Sequence, residues 1–390
     1  MRKLLFVLVF VIQLIPAFAQ TQKDEKVEKA INLFNSGKMD KAISKMEKIK
    51  NKKSSNENWS TLVQMYYQRY LYAKDLEHQA MVAAFGEVFG IKKETEKYKS
   101  SYSCFVDLLK ISRDAELYSE CPYASQFLRN YLIDSNPDTT ISDEAKKKLQ
   151  EAEKYFEKKD FINSKKQYQE ALSIDSNYYD ATIYLGDCYW YLGEMDSAIY
   201  YFHKGIAMCP DQLEPRKYLV DALAYSKKNM EAKKECIEAL YIYPDISMFM
   251  KFSDLAKQEG KKFNRHWIKR GCEINTIKWN EAKVKDNLWK TYQNADSQIK
   301  EYCDSNGVIV KQNTLTKAKY LEVYSWEKML NSTTELPEEM RFAKKMADNG
   351  YLDCYVFMSA FHFDLYNQFS DFVKNNKDRI KTYIETYLVE

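Results

Sequence analysis

The sequence predicts an all-α protein: a solenoid of helix–turn–helix units joined to an additional helical C-terminal domain. Three observations predict it. Residues 145–246 repeat themselves with a period of 34, and the copies open at Ala145, Tyr179 and Leu213. Such a period holds two helices and their turns but no core of its own, so neighbouring copies must stack to bury their apolar faces. Only 10 glycines and 7 prolines occur in 390 residues, which disfavours tight hairpins and favours helices with short connections. Outside the copies, apolar residues recur at three- and four-residue steps, the spacing of one helix face.

Arg2 and Lys3 precede the apolar run LLFVLVFVIQLI, and Ala17-Phe18-Ala19 follows it. This is the layout of a secretory signal peptide cleaved before Gln20. The run of about 12 residues is short of the roughly 20 that a spanning helix requires. Residues 1–19 are therefore expected to be removed, with no transmembrane segment after cleavage. The product is expected to be exported, periplasmic or secreted. Losing Arg2 and Lys3 takes the formal charge from +3 to +1. That balance supplies no long-range field for nucleic acid, so no nucleic-acid partner is expected.

Residues 20–140 read as a helical region with degenerate copies of the repeat. In VEKAINLFNSGKMDKAISKMEKIKN, Ala30, Leu33, Ala42 and Met46 take helical spacing and Ser36-Gly37 makes the turn. Trp59, Leu62, Val63 and Tyr66 give a second apolar face. Residues 70–135 look helical without a clear register. Ser135-Asn136-Pro137-Asp138 is a break, and Ser142 is placed to cap the next helix. The three clear copies occupy 141–246.

Residues 247–390 read as the helical C-terminal domain, or as degenerate repeats that continue the solenoid. KQEGKKFNRHWIKRG, residues 257–271, is expected to be a solvated helix docking Phe263 and Trp267 from one face; an anionic glycan or lipid headgroup is the other reading of its charge. Val284, Leu288, Tyr292, Ala295, Ile299 and Cys303 mark an amphipathic helix, ended by Asn306-Gly307. GVIV is a short strand candidate. Further helices are expected at about 315–330, 338–348, 352–374 and 376–388. CYVFMSAFHFDLYNQF is apolar on nearly every face and marks the domain's buried centre.

The middle copy, YDATIYLGDCYWYLGEMDSAIYYFHKGIAMCPDQ, carries Leu185-Gly186, Tyr189, Ala198, Phe202, Gly205 and Pro210. At these offsets it resembles a tetratricopeptide repeat. The first copy keeps Ala152, Tyr155, Tyr168 and Ala171, and departs at Lys148, Glu151, Ser164 and Ser176. The third keeps Leu219, Ala232, Ala239 and Pro244, and departs at Val220 and Leu223. The resemblance spans 102 residues, and the basic n-region with its A-x-A site suits an exported bacterial product. It implies a concave inner wall that holds a protein or peptide partner. The family's inward offsets fall on Lys146, Leu149, Gln150, Glu153, Phe156 and Glu157 in the first copy. In the second they fall on Asp180, Ile183, Tyr184, Asp187, Trp190 and Tyr191. In the third they fall on Glu214, Lys217, Tyr218, Asp221, Ala224 and Tyr225. Phe156, Asp180, Tyr184, Asp187, Trp190, Tyr191, Lys217, Tyr218, Asp221 and Tyr225 are the candidate groove residues. Relatives that clamp a C-terminal carboxylate need Lys, Arg and Asn on this face. Here Glu153, Asp187 and Asp221 would repel an acidic end, so the partner is expected to be neutral or basic.

Motifs for bond chemistry are missing. No GxG, CxxC, HExxH or GxSxG occurs, which removes the common nucleotide, zinc and hydrolase signatures. Ser359 and His362 share a helical spacing, but the flanking Phe361 and Phe363 mark a core histidine. No cofactor, metal site or catalytic residue is expected, and the chain reads as a non-enzymatic adaptor. The alternative is an envelope protein whose C-terminal domain binds a glycan or has hydrolase-like activity, with the repeats as targeting arm. Export permits disulfides among the eight cysteines, and Cys104 with Cys121 is the nearest pair. Cys236 stands where the repeat has an aromatic and reads as a small core residue. Asn58 and Asn331 open short glycosylation sequons.

Overall fold

The computed structural model describes residues 24–84, 100–132, 140–269, 287–292 and 320–390. The signal segment, the Ser135–Asp138 break, most of 281–303, GVIV, Cys272 and Cys303 lie outside these residues. Among the described residues the regular elements are helices, with one isolated antiparallel bridge between Phe263 and Val389. None of these helices is long and apolar enough to cross a membrane. The chain forms two compact units, one up to Leu128 and one from Arg129 onward.

The first unit begins with a helix hairpin, α1 (Glu25–Asn35) and α2 (Met39–Lys52), turning at Gly37 with φ +79°. It continues through α3 (Asn56–Ala84), α4 (Ser101–Tyr118) and the start of α5 (Pro122–Leu132). Ala30, Ala42, Met46, Trp59, Leu62 and Val63 share one core, as their spacing predicts. Arg69 spans three helices, meeting Asp40 on α2 at 3.0 Å and Asp107 on α4 at 2.5 Å. Cys104 and Cys121, the nearest pair in sequence, form no disulfide; both are buried thiols. Cys121 Sγ instead lies 3.5 Å from Ser60 Oγ on α3. Burial pushes its thiol pKa up, which lowers its reactivity. Asn58 is 7% exposed and its amide donates to the Lys53 carbonyl at 2.8 Å, so that sequon is committed to the fold.

In the second unit each copy is a helix pair: α6 (Asp143–Glu157) with α7 (Phe161–Ile174), α8 (Tyr179–Tyr191) with α9 (Met195–Met208), and α10 (Glu214–Tyr225) with α11 (Asn229–Leu240). Successive helices pack on one another along the chain. Ser142 caps α6 by accepting from Ala145 N. Gly186 explains the repeat's signature glycine. A Cβ there would lie 2.7 Å from the ring of Phe202, which is 1% exposed. Only a glycine lets α8 and α9 approach this closely.

The first copy's departures have polar compensations. Ser164 Oγ donates to the Ala152 carbonyl at 2.9 Å, tying α7 to α6. Lys148 reaches from α6 to Glu170 on α7 at 2.6 Å. The first helix of each copy closes on a residue in the left-handed region: Lys159 (φ 60°), Gly193 (φ 77°) and Lys227 (φ 59°), 34 positions apart. Two copies therefore use lysine where glycine carries no steric penalty.

The stack continues beyond Ile246. α12 (Ile246–Gln258) packs on α11 as the first helix of a further unit and ends at Gly260 with φ +73°. A second helix does not follow directly in the described residues. Residues 261–269 are not helical, which corrects the helix expected over 257–271. Their backbone finds other partners: Lys262 N donates to Glu390 O at 2.9 Å, Glu390 N returns to Lys262 O at 2.7 Å, and Asn264 N donates to Leu388 O at 2.9 Å. Phe263 does dock, 5.5 Å from Phe252, but from an extended segment.

The C-terminal helices are α13 (Leu321–Leu330), α14 (Glu338–Asp348) and α15 (Tyr366–Thr382). Between α14 and α15 the expected helix over 352–374 is broken. Leu352–Cys354 leads into a π-turn at Tyr355–Ser359, and the chain leaves the helix at Ala360. Residues 354–362 are all buried, as a segment apolar on every face requires. The break lets Phe357 pack on Phe372 at 4.8 Å and Phe361 on Tyr243 at 5.0 Å. The boundary expected near 375 survives as a kink inside α15 at Asn376 (φ −132°, ψ 19°). One buried cluster runs from Ala198 through the third copy to Leu388, so the C-terminal helices cover the apolar end of the stack.

Two substitutions test this packing by urea unfolding. Gly186→Ala gains about 1 kcal/mol in helix propensity, but overpacking against Phe202 costs more, for a net loss of about 1–2 kcal/mol. Lys227→Gly relieves a left-handed lysine and gains about 0.5 kcal/mol. A Gly186→Ala protein as stable as the parent would contradict the close approach.

Candidate functional site

The candidate residues of the inner wall lie on the first helices α6, α8 and α10. The structure divides its residues by burial. Leu149 and Ile183 are 8% and 3% exposed and belong to the core. This corrects their placement on the groove face: Ile183 turns toward Gly205, whose missing Cβ would lie 3.0 Å from it. Tyr184 and Tyr218 are half-buried; Tyr184 tilts against Tyr168 at 5.9 Å and Tyr218 against Phe202 at 5.6 Å. Tyr191 and Tyr225 remain 57% and 69% exposed.

The two exposed rings are held. Tyr191 stacks on Phe161 at 4.4 Å with 5° between planes, and Phe156 meets both rings edge-on at 5.2 and 5.6 Å. Tyr225 meets half-buried Trp190 at 5.5 Å in an edge-to-face pair linking α10 to α8. Such pairing fixes a ring before any partner arrives and lowers the entropy lost on contact. Phe161 opens α7, a second helix, whereas the inward offsets of the repeat fall on first helices.

The carboxylates lie among these rings. Asp187 is half-buried, and burial, then the charge of Asp221, pushes its pKa up to about 7. Among the described residues it has no hydrogen bond or ion pair. Asp180 is raised by burial. Glu153 is raised by burial and by Glu157 and Asp180. Burial and the surrounding carboxylates push Tyr184 up to about 12. The wall is thus short of positive charge. Of Glu153, Asp187 and Asp221, Asp221 alone has a cation, Lys251 from α12.

At the far end of the wall charges are paired. Asp245 is fully buried and accepts from Arg129 at 2.7 Å; Arg129, 2% exposed, also reaches Glu214 at 2.6 Å. Lys217 is 3.8 Å from Asp245. Burial lowers the lysine's pKa against the pull of Asp245. Burial raises the Asp245 carboxyl, but Lys217, Arg129 and the Ser247 hydrogen bonds outweigh it and hold it below the usual range. Lys217 is therefore committed to this node. Nothing in the local sequence marks Arg129, because its partners lie 85 and 116 residues away.

The remaining constellation is sealed. Ser359 is fully buried with its Oγ 2.6 Å from the Tyr383 hydroxyl. His362 is 2% exposed, its Nε2 4.0 Å from Glu322. Glu322 also accepts from Tyr292 and Trp326 at 2.5 and 3.0 Å. The described residues contain no metal-holding cluster of His, Cys, Asp and Glu. A cavity of about 620 Å³ lies between α11, α12 and the C-terminal residues, lined by Ile237, Tyr241, Phe252 and Val389 with mixed charges around it.

The raised Asp187 carboxyl has a defined consequence. Between pH 4 and 7 the folded state keeps a proton that the unfolded state releases, so stability from this group falls as pH rises through that window. Asp187→Asn should equal the parent at pH 4 and exceed it at pH 8 by on the order of 1–2 kcal/mol, a value reduced for partial solvation. Urea midpoints at the two pH values check this; an equal difference at both would refute it.

No protein-family model matches the chain, and no curated protein matches it. Two solved structures are similar to parts of it. One is the TPR2AB-domain:pHSP90 complex of yeast Sti1, at 15% identity, covering 61% of this chain and 98% of that one, with a TM-score of 0.29. The other is the C-terminal part of a TPR repeat-containing protein from Cytophaga hutchinsonii, at 14% identity, covering 81% and 98%, with a TM-score of 0.28.

Proposed function

We propose that this chain is a protein-interaction adaptor whose three-repeat inner wall holds an extended, neutral or basic segment of a partner protein. Exposed Tyr191 and Tyr225, fixed in place by Phe161 and Trp190 beside uncompensated carboxylates, carry this reading. Flat, prepositioned aromatics give contact area at low entropic cost. The carboxylates disfavour an acidic peptide end and the phosphates of nucleic acid alike. Shape and charge do the work, with no bond made or broken and no cofactor called for.

The adaptor reading is tested with Tyr191→Ala/Tyr225→Ala, which truncates exposed rings and should leave the helical circular dichroism unchanged. Crosslinking and pull-down from the native cell should lose the partner at least tenfold relative to the parent. Unchanged capture would reject the groove. The basic n-region and the Ala17-Phe18-Ala19 site support export to the periplasm or the medium. Mass measurement of the native protein should then find Gln20 at the N-terminus; an intact Met1 in the cytosolic fraction would reject export.

A further inference from the structure

Asp187 and Asp221 occupy the same offset of successive copies and interact electrostatically. One turn further along each helix stand Trp190 and Tyr225, three and four residues on and so on the same helix face. Those two rings touch across the helices at 5.5 Å. Two carboxylates beside an aromatic pair form a surface of defined chemistry. The rings suit an aliphatic stem and the carboxylates a cationic head.

Charge complementarity points to an occupant. The same wall already takes cations from its own chain: Lys251 pairs with Asp221, and Arg129 is held by Glu214 and Asp245 at 2.6 and 2.7 Å. Glu153 and Asp187, at the same place in their copies, are left without one, and of these two only Asp187 is half-buried.

We infer that the partner segment is read through one lysine or arginine side chain, seated on Asp187 and Asp221 with its stem along Trp190 and Tyr225. This rests on the adaptor reading above and deepens it by fixing the partner's chemistry. Binding of the cation draws Asp187 to its ionised form, so the complex releases a proton near neutrality. The titratable groups that interact with Asp187 are Tyr184 on α8 and Tyr218 and Asp221 on α10, with Lys251 from α12 paired to Asp221.

The probe is a random heptapeptide library selected on the full chain at pH 8. Selected peptides should carry lysine or arginine at one fixed position. Asp187→Asn should weaken them at least tenfold. Calorimetry at pH 7 in two buffers of different ionisation enthalpy should show proton release with the parent and none with Asp187→Asn. Peptides that bind through Tyr191 and Tyr225 but lack a fixed cation, or bind Asp187→Asn as tightly as the parent, overturn the inference and leave the adaptor reading intact. Failure to select any peptide, or selection indifferent to Tyr191→Ala/Tyr225→Ala, overturns both.

Discussion

The second unit turns on a single carboxylate. Asp245 has no solvent exposure, yet it caps α12 through Ser247, binds Arg129 and attracts Lys217. A lone charge in such a place would cost several kcal/mol, and only simultaneous partners make it tolerable. The same residue therefore fixes the start of α12, the position of Arg129 and the orientation of Lys217 on the inner wall. Changing any one partner leaves the others holding an uncompensated buried charge, so the node is rigid by mutual dependence.

That rigidity bears on the groove. Its aromatic residues are of two physical kinds that offsets alone do not separate. Tyr184 and Tyr218 lean into the core and give the wall its shape. Tyr191 and Tyr225 are mostly in solvent, yet each is held by a neighbouring ring. The wall is acidic where it is open, at Glu153, Asp180 and Asp187, and neutralised where Arg129 and Lys251 reach it. A gradient of unpaired charge along one face gives the surface a direction.

How much was legible in the sequence follows from how local each constraint is. The glycine at 186 and the phenylalanine at 202 state a close approach within one helix pair, and the period states the stacking, so the helix pairs could be read directly. The segment 261–269 could not, because its pairing with residues 388–390 is distant along the chain and uses backbone rather than side-chain pattern. The spacing of Phe263 and Trp267 suggested a helix, but Gly260 and that remote pairing override it. Arg129 was invisible for the same reason. Ser164 looked like a defect in the repeat, and only the Ala152 carbonyl shows it to be a replacement contact. Offsets carried over from tetratricopeptide repeats do not separate open from buried positions: Ile183 and Leu149 share them, yet both are buried where neighbouring copies pack.

The short bridge between Lys262 and Glu390 also imposes an order on folding. The helix pairs close over a few tens of residues, and such local closure is fast. The bridge joins backbone groups more than a hundred residues apart. Its loop entropy is recovered only when the intervening helices have already packed. The repeats can thus mature as the chain leaves the ribosome, while the apolar end formed by α11 and α12 stays uncovered until the last residues arrive. During that interval the exposed face of Phe249 and Phe252 is the part of the molecule most open to aggregation or to a chaperone.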